Sequence, residues 1–451
     1  MRRWLIFLLL AGLCRDAAAQ PVKLLCNWGD TARAPLNQFN QRFNDCWGFV
    51  QGGREYAVIG SSSGAHIIDV NNCREVAYAR GTSEGVIHRD YKTYRHYLYA
   101  VADEGVRATL QIYDLDYLPD SLHLVYQSDS NFFNRCHTIF IDTATAKLYG
   151  ASFSLPNGVH DYMRVFSLAN PVQPTVVARY NLGGDVHAVY VRNDTAYCSS
   201  SYAGYYVVDF TKAPAKMPII GGLTSYQYQG FNHSSWVGPD GIGVMSDETW
   251  GRPMKVIDTR NLLDIQVTGY ISPRGSDSTS IPHNPYIRGR FAYISYYLDG
   301  FQLYDISDPY HPRQAGHYQT FGGTPYQGFA GAWGCYPYLP SRHVLVSDMQ
   351  HGLYVLDADE AIGINKTTEF GLYPNPAATV VFLQLPYGVT GALHADVLDI
   401  TGRRVFSNDQ LAAAESNPAL AVPLPPTMAA GVYVIRAAIA GHIYTARLIK
   451  R

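Results

Sequence analysis

The chain has 451 residues, of which 13% are aromatic and 16% charged, and its formal net charge is -2. A near-neutral chain without a basic run does not support nucleic-acid binding, and this length exceeds that of one ordinary compact domain. The 35 tyrosines and 18 phenylalanines suit twisted strands that pack face to face, so we expect an all-β protein.

Residues 1–19 have the features of a secretory signal peptide. Arg2 and Arg3 precede an apolar run over residues 4–13, and alanines at positions 17 to 19 form a small-residue cleavage site. Leu13 is too large for the position before a lipidated Cys14. No later segment reaches the roughly 18 apolar residues of a membrane helix, so we expect a mature chain without a transmembrane segment.

Removal of this segment leaves six cysteines, at positions 26, 46, 73, 136, 198 and 335. Disulfides are common in exported proteins, but six cysteines allow about fifteen pairings, and none of these has the CxxC spacing of a metal site. Three bridges, or buried thiols with one bridge, are both compatible with the sequence.

An apolar strand that ends in aspartate, or once in serine, recurs seven times. The strands HIIDV, QIYDL, RVFSL, YVVDF, KVIDT, QLYDI and YVLDA end near Asp69, Asp114, Ser167, Asp209, Asp258, Asp305 and Asp357. The intervals are 45, 53, 42, 49, 47 and 52 residues, and each contains several short strands. This period is typical of β-propeller blades, so we predict a seven-bladed β-propeller over residues 22–360.

The strand count predicts how the ring closes. In the sixth repeat, the segment around His283 and residues 291–297, 300–306 and 313–319 form four strands, lettered a to d outward from the axis. Six repeats supply a strand d, but the seventh does not. Residues 22–28 (VKLLCNW) have the character of a strand d, so we predict that they complete the seventh blade and hide its edge.

A histidine stands at the start of strand a in five repeats. These residues are His88, His137, His187, His233 and His283, with intervals of 49, 50, 46 and 50. Counted back from strand b, the same position in the first and seventh repeats holds Trp47 and Trp333. Because strand a is innermost, we expect these side chains at one mouth of the channel. Strand b returns to that mouth with Asp103, Glu104, Asp247, Glu248 and Asp348.

Imidazole nitrogens and carboxylates together suit a divalent transition metal such as zinc or manganese. We therefore assign the five histidines, Asp247 and Glu248 as metal ligands, and Trp47, Trp333, Asp103 and Asp348 as ligand-binding residues. A structural alternative is that each histidine bonds the backbone of the neighbouring blade. A further alternative is a metal-dependent hydrolase with Glu248 as general base. We favour binding without turnover, because no nucleophile–base pair follows from the spacing.

A composition change near Glu360 marks the end of the propeller. After a linker at residues 361–368, short strands such as TVVFLQL, HADVLDI, GVYVIRAAI and YTARLIKR are separated by proline and glycine turns. They predict a small antiparallel β-sandwich over residues 369–451.

Nine elements in order resemble the choice-of-anchor B family of exported LVIVD-repeat propellers over residues 22–360. They are NDCWGF (44–49), REYAVIGSSSG (54–64), HRDYKTY (88–94), CHTIFID (136–142), GGDVHAVYV (183–191), FNHSSW (231–236), SDE (246–248), IPHN (281–284) and GAWGCYPYLPS (331–341). The third repeat departs from the family pattern at Ser167. This resemblance implies the propeller fold and export, and it does not indicate any particular enzymatic activity.

The tail resembles the type A sorting domain of the type IX secretion system of Gram-negative bacteria. The matching motifs are YPNP (373–376), DITGRRV (399–405), AGVYVIR (430–436) and TARLIKR (445–451). The resemblance implies the type IX machinery as a partner, with export to the periplasm by the signal peptide and then passage to the cell surface or medium. The extracellular ligand is not identified by any motif.

Overall fold

The computed structural model describes residues 20–30, 32–105, 110–275, 277–363, 371–373, 375–384, 391–413, 419–439 and 442–451. The predicted signal peptide and residues 364–368 of the predicted linker lie outside them. No helix among the described residues is long and apolar enough to cross a membrane.

Seven sheets of four antiparallel strands, numbered here as blades 1 to 7, confirm the predicted propeller, and blade 6 has a fifth, parallel strand at its outer edge. Their first strands contact one another around a closed ring. Blade 1 contains Phe43–Gln51, Arg54–Ser61, Gly64–Asp69 and Arg74–Arg80. Blade 2 contains Arg89–Tyr94, Tyr97–Ala102, Gln111–Asp114 and His123–Gln127. Blade 3 contains Arg135–Asp142, Lys147–Ser154, His160–Ser167 and Thr175–Tyr180. Blade 4 contains Ala188–Arg192, Thr195–Ser199, Tyr205–Asp209 and Ile219–Leu223. Blade 5 contains Asn232–Val237, Ile242–Asp247, Met254–Asp258 and Gln266–Ile271, with a 3-10 turn at Leu262–Asp264. Blade 6 contains Pro285–Arg288, Phe291–Ser295, Phe301–Asp305 and Arg313–Tyr318. Blade 7 contains Ala332–Tyr336, Val344–Asp348, Gly352–Asp357 and Lys23–Trp28.

The core lies between neighbouring blades rather than inside one sheet. One buried cluster joins Tyr149 and Val165 of blade 3 to Val189 and Ala196 of blade 4. The next joins blades 4 and 5 in the same way. A single blade has no partner for its two apolar faces, which is why the repeats must form a ring.

The aspartate at the end of strand c has the same role in the six blades that carry it. Its side-chain oxygen accepts a hydrogen bond from the backbone N–H two residues later, at 2.8 to 3.0 Å, and so begins the turn to strand d. In blade 3, the hydroxyl of Ser167 accepts the same bond from Ala169 at 3.2 Å. The replacement of aspartate by serine therefore keeps this turn.

The N-terminal strand completes blade 7, as predicted. Lys23–Trp28 pairs antiparallel with Gly352–Asp357, with Lys23 opposite Asp357 and Trp28 opposite Leu353. The short strand Gln20–Pro21 pairs in parallel with strand d of blade 6. A disulfide joins Cys26 in blade 7 to Cys73 in blade 1. The other four cysteines of the described chain are buried thiols.

The tail forms a sandwich of two sheets around one apolar core. One sheet contains Gly371–Tyr373, Val380–Gln384 and Ala419–Pro423, and the other Arg404–Ala413, Gly391–Leu398, Gly431–Ile439 and His442–Lys450. Val381 and Val422 from the first sheet pack with Val397, Ile435 and Leu448 from the second. This is the antiparallel sandwich expected from the alternating sequence.

Candidate functional site

Five imidazoles and one indole form a closed ring at one mouth of the channel. Their neighbouring ring centroids are separated by 5.0 Å (His88–His137), 4.1 Å (His137–His187), 4.5 Å (His187–His233), 4.3 Å (His233–His283), 5.1 Å (His283–Trp333) and 5.1 Å (Trp333–His88). Six of the seven side chains that the repeat assigns to one level are thus brought together.

Trp47 is the exception, and its assignment to this level is wrong. In blade 5, His233 bulges between two paired positions of strands a and b, and Trp333 does the same in blade 7. In blade 1, the irregularity leaves both Asn44 and Asp45 without ladder partners. The position counted back from strand b is wrong in blade 1, because the bulge there contains two residues and not one. Trp47 therefore lies further along the strand, paired with Val58, and not at the level of the ring.

At its place along strand a, Trp47 belongs to a separate group of aromatic side chains. Its ring lies 4.6 Å from that of Tyr336, and its Nε1–H donates to Thr93 Oγ1 at 3.1 Å. The ring of imidazoles closes without blade 1 because Trp333 reaches His88 directly.

Three histidines are held through Nδ1. His88 Nδ1 donates to Glu104 Oε1 at 2.9 Å, His137 Nδ1 donates to the Asp103 carboxylate, and His283 Nδ1 donates to the Trp333 carbonyl. These oxygens can only accept, so Nδ1 of each ring carries a proton, and the Nε2 atom is the one left for a ligand. The same arrangement orients histidine ligands in metal sites.

The remaining two histidines carry buried nitrogens without a hydrogen-bond partner in the described structure. These atoms are His187 Nε2 and His233 Nδ1. Burial, followed by the neighbouring imidazoles, lowers the pKa of both residues well below the usual value. Burial also lowers the pKa of His283 to about 3. Neutral imidazoles can coordinate a cation, whereas imidazolium cannot.

The structural alternative accounts for one histidine of the five. Within the described chain, only His283 bonds the backbone of the neighbouring blade, at Trp333. Small hydroxyls make the other recurrent bonds between blades: Thr138 Oγ1 donates to the His187 carbonyl at 3.1 Å, and Ser234 Oγ to the His283 carbonyl at 2.8 Å.

Glu248 lies beside the most buried histidines. Its oxygens are 3.9 Å from His233 Nε2 and 3.8 Å from His283 Nε2, and the Tyr297 hydroxyl donates to Oε1 at 2.5 Å. Burial raises the pKa of Glu248 to about 7, although the bond from Tyr297 acts in the opposite direction. This carboxyl group can therefore take up or release a proton near neutral pH.

This shift predicts a pH effect on stability in chelator-treated protein. The folded pKa of about 7 lies above the reference of 4.5, so the folded state binds more protons between these values. Glu248 should therefore reduce the free energy of unfolding by about 3 kcal/mol as pH rises from 4.5 to 7. Urea titrations of the wild type and Glu248→Gln should diverge over this window. Parallel curves would contradict the shift.

The ring offers three groups of donor atoms, in each of which all ligand atoms lie within 4.8 Å of one another. The groups are His137, His187 and His233; His233, Glu248 and His283; and His88, Asp103 and Glu104. Tetrahedral ligands at zinc are about 3.4 Å apart, since the bonds are about 2.1 Å long. Side-chain movements of about 1 Å would close each group around an ion.

Asp247 and Asp348 do not join the ring, contrary to their assignment. The Asp247 carboxylate forms a buried ion pair with Lys255 and accepts the Tyr226 hydroxyl at 2.8 Å. Asp348 Oδ1 accepts the backbone N–H of Gln350 and of His351, both at 2.9 Å. Asp247 is thus engaged away from the histidines, whereas Glu248, which follows the strand, lies beside His233 and His283.

Two of the predicted ligand-binding residues lie at the ring: Asp103 reaches His137, and Trp333 is part of the ring. Their role in ligand binding stays a prediction. One further residue, Tyr297, was not predicted from the sequence. Tyr297 follows Glu248 by 49 residues, one repeat, so the period itself could have identified it.

Two small pockets, partly open to solvent, lie against the ring and the neighbouring inner strands. Both are lined by Asp45, Asp90, Thr138 and Asn284. Burial, with the nearby Asp90, raises the pKa of Asp45 well above its usual range. The two pockets are thus lined by carboxyl, hydroxyl and amide groups.

Residues 371–451 match the secretion system C-terminal sorting domain, the tail of type IX secretion substrates. No curated protein matches the sequence significantly. The β-propeller domain of Cps50 (Swd1) from Myceliophteria thermophila is similar in structure, with 10% identity, 74% of this chain and 99% of that chain covered, and a TM-score of 0.50. The computationally designed Ika8 protein is 11% identical over 69% of this chain and 82% of its own, with a TM-score of 0.44.

At these identities, the likeness to Cps50 supports the fold alone. The sorting domain indicates that the protein is secreted or held at the cell surface and is handled by the type IX machinery. This chain is a β-propeller protein that carries a type IX sorting domain.

Proposed function

We propose that the protein is an exported binding propeller whose histidine ring holds a divalent transition-metal ion. The observation that carries the proposal is the pair of buried, unpartnered imidazole nitrogens on His187 and His233. A buried polar atom without a partner costs roughly 1–3 kcal/mol, and an ion in the ring would satisfy both. His187 and His233 form one group of donor atoms with His137, and His233 also belongs to a second group with Glu248 and His283. Nitrogen and oxygen donors of this kind suit zinc or manganese.

Elemental analysis of the purified protein tests this function. We expect about one equivalent of a transition metal per chain, removable by a chelator and restored by adding zinc or manganese chloride. A metal-free protein that also binds neither ion at micromolar concentration would contradict the proposal.

We further propose that residues 1–19 direct the chain to the periplasm and that the tail then directs passage to the surface or medium. The nine quoted elements support a place for the propeller in the choice-of-anchor B family. The tail has its own apolar core, so its removal should leave the propeller intact.

Deletion of residues 369–451 should therefore leave a folded propeller that accumulates in the periplasm. Cell fractionation with immunoblotting would locate the protein, and its metal content would report the integrity of the ring. Normal surface delivery without the tail would contradict the sorting role.

A metal-dependent hydrolase is the second candidate. It is favoured by Glu248, whose pKa near 7 and position beside His233 and His283 suit a general base for a metal-activated water. Zinc-loaded protein should then hydrolyse p-nitrophenyl acetate or phosphate, and Glu248→Gln should lower the rate at least 100-fold. No turnover by the metal-loaded protein on these esters would favour binding alone.

A further inference from the structure

The four-stranded sheet of the tail has one buried side and one outward side. Val397, Ile435 and Leu448 point into the sandwich core. Because side chains alternate along a strand, the neighbouring residues Leu398, Val434 and Arg447 point away from it. These three residues are direct partners across three adjacent strands, which makes them one continuous surface.

This outward surface is basic. It carries the arginines Arg404, Arg436 and Arg447. Asp396 lies 3.5 Å from Arg404 and 3.2 Å from His394, so its charge is already compensated. Arg436 and Arg447 are exposed, and neither forms an ion pair with any residue that the structure describes. The surface therefore has positive charge available for a partner.

Next to the arginines, the sheet ends in an exposed apolar side chain on a rigid turn. Ile400 is 82% exposed. Its turn is held by Asp399 Oδ1, which accepts the Thr401 N–H at 2.9 Å, the Thr401 hydroxyl at 2.6 Å and the Arg403 N–H at 3.1 Å. Val432, 47% exposed, lies in the adjoining strand at the same end of the sheet. An apolar group held rigidly in water suits a contact site, because little entropy is lost on binding.

We propose that this surface, formed by Ile400, Val432, Arg404, Arg436 and Arg447, is where the tail docks on a protein of the export machinery. The complementary site would have an apolar pocket for Ile400 beside acidic side chains for the arginines. The match of the tail to a sorting domain favours the export machinery as the occupant, and like charges disfavour a second copy of the tail. The inference rests on the proposal that the tail directs export.

The test uses the full chain in a host that has type IX secretion. Two variants alter the surface independently: Arg436→Glu with Arg447→Glu, and Ile400→Asp. Matched changes on the propeller are Arg179→Glu on an exposed outer strand and Leu263→Asp at a residue that is 89% exposed. We expect each tail variant to reduce surface or secreted protein at least tenfold, with accumulation inside, while the propeller variants are delivered normally. The variant with Arg436→Lys and Arg447→Lys keeps both positive charges and should be delivered normally.

Thermal unfolding of each purified variant separates loss of docking from loss of folding. A surface variant that is folded and exported at the control level would overturn the inference, whereas the tail deletion would still fail to be exported. Normal export of the deletion would instead overturn the sorting role itself. Variants that reach the surface but are released from it would indicate anchoring to an anionic lipid, and would also overturn docking on a protein.

Discussion

Replacing His187 and His233 together with phenylalanine should remove the bound metal without weakening the fold. Each position stacks against its neighbours, with centroid distances of 4.1 to 4.5 Å, and phenylalanine preserves this stacking. The change also removes the two buried nitrogens that have no partner in the described structure. Loss of two nitrogen ligands should lower the metal content below one tenth of an equivalent and the affinity for zinc at least 100-fold.

For the chelator-treated protein, the free energy of unfolding should change by no more than about 1 kcal/mol, because no hydrogen bond is lost. Phenylalanine is a better choice than alanine here, since His233 is only 4% exposed and alanine would leave a cavity.

His66 provides the matched control. It is a buried histidine outside the ring, and both its nitrogens are engaged, by Ser61 at 2.9 Å and by Glu75 at 3.2 Å. His66→Phe should keep the metal but lower the free energy of unfolding by roughly 1–3 kcal/mol, because polar partners are left unpaired. If the ring variant is instead strongly destabilised and the parent holds no metal, the histidines have a structural role.

The architecture followed from the sequence because it is periodic. A turn that needs a side-chain acceptor at the end of every strand c recurs at every blade, so the repeat is visible without any structure. Even Ser167 keeps that turn, since its hydroxyl can accept the same bond as aspartate. The missing strand d in the last repeat likewise predicted the pairing of residues 23–28 with blade 7.

The details of the ring could not be predicted to the same extent. The bulge at Asn44 and Asp45 shifts the first blade out of register, and bulge length has no clear signature in one sequence. The direction of Asp247 depends on the buried Lys255 in the next strand of the same blade, a pairing that the repeat does not predict. The disulfide was one of about fifteen pairings, and only the closure of the ring brings Cys26 and Cys73 together.

The disulfide is expected to make the largest single contribution to the stability of the closure. Trp28 of the closing strand packs against Phe43 and His66, but Leu24 and Leu25 are 43% and 46% exposed. The strand is therefore held largely by its backbone pairing and by this bond. The bridge spans 47 residues, for which loop-closure entropy gives a stabilisation of about 4 kcal/mol.

Cys26→Ser with Cys73→Ser should therefore lower the free energy of unfolding by about 2–4 kcal/mol in urea titrations. It should also make the strand at the N-terminus sensitive to protease, because its release exposes the edge of Gly352–Asp357. Dithiothreitol should weaken the wild type to the level of this variant and leave the variant unchanged, since the other cysteines of the described chain are buried thiols that need no reduction. Equal stability of the oxidised wild type and the variant would mean that strand pairing alone closes the ring.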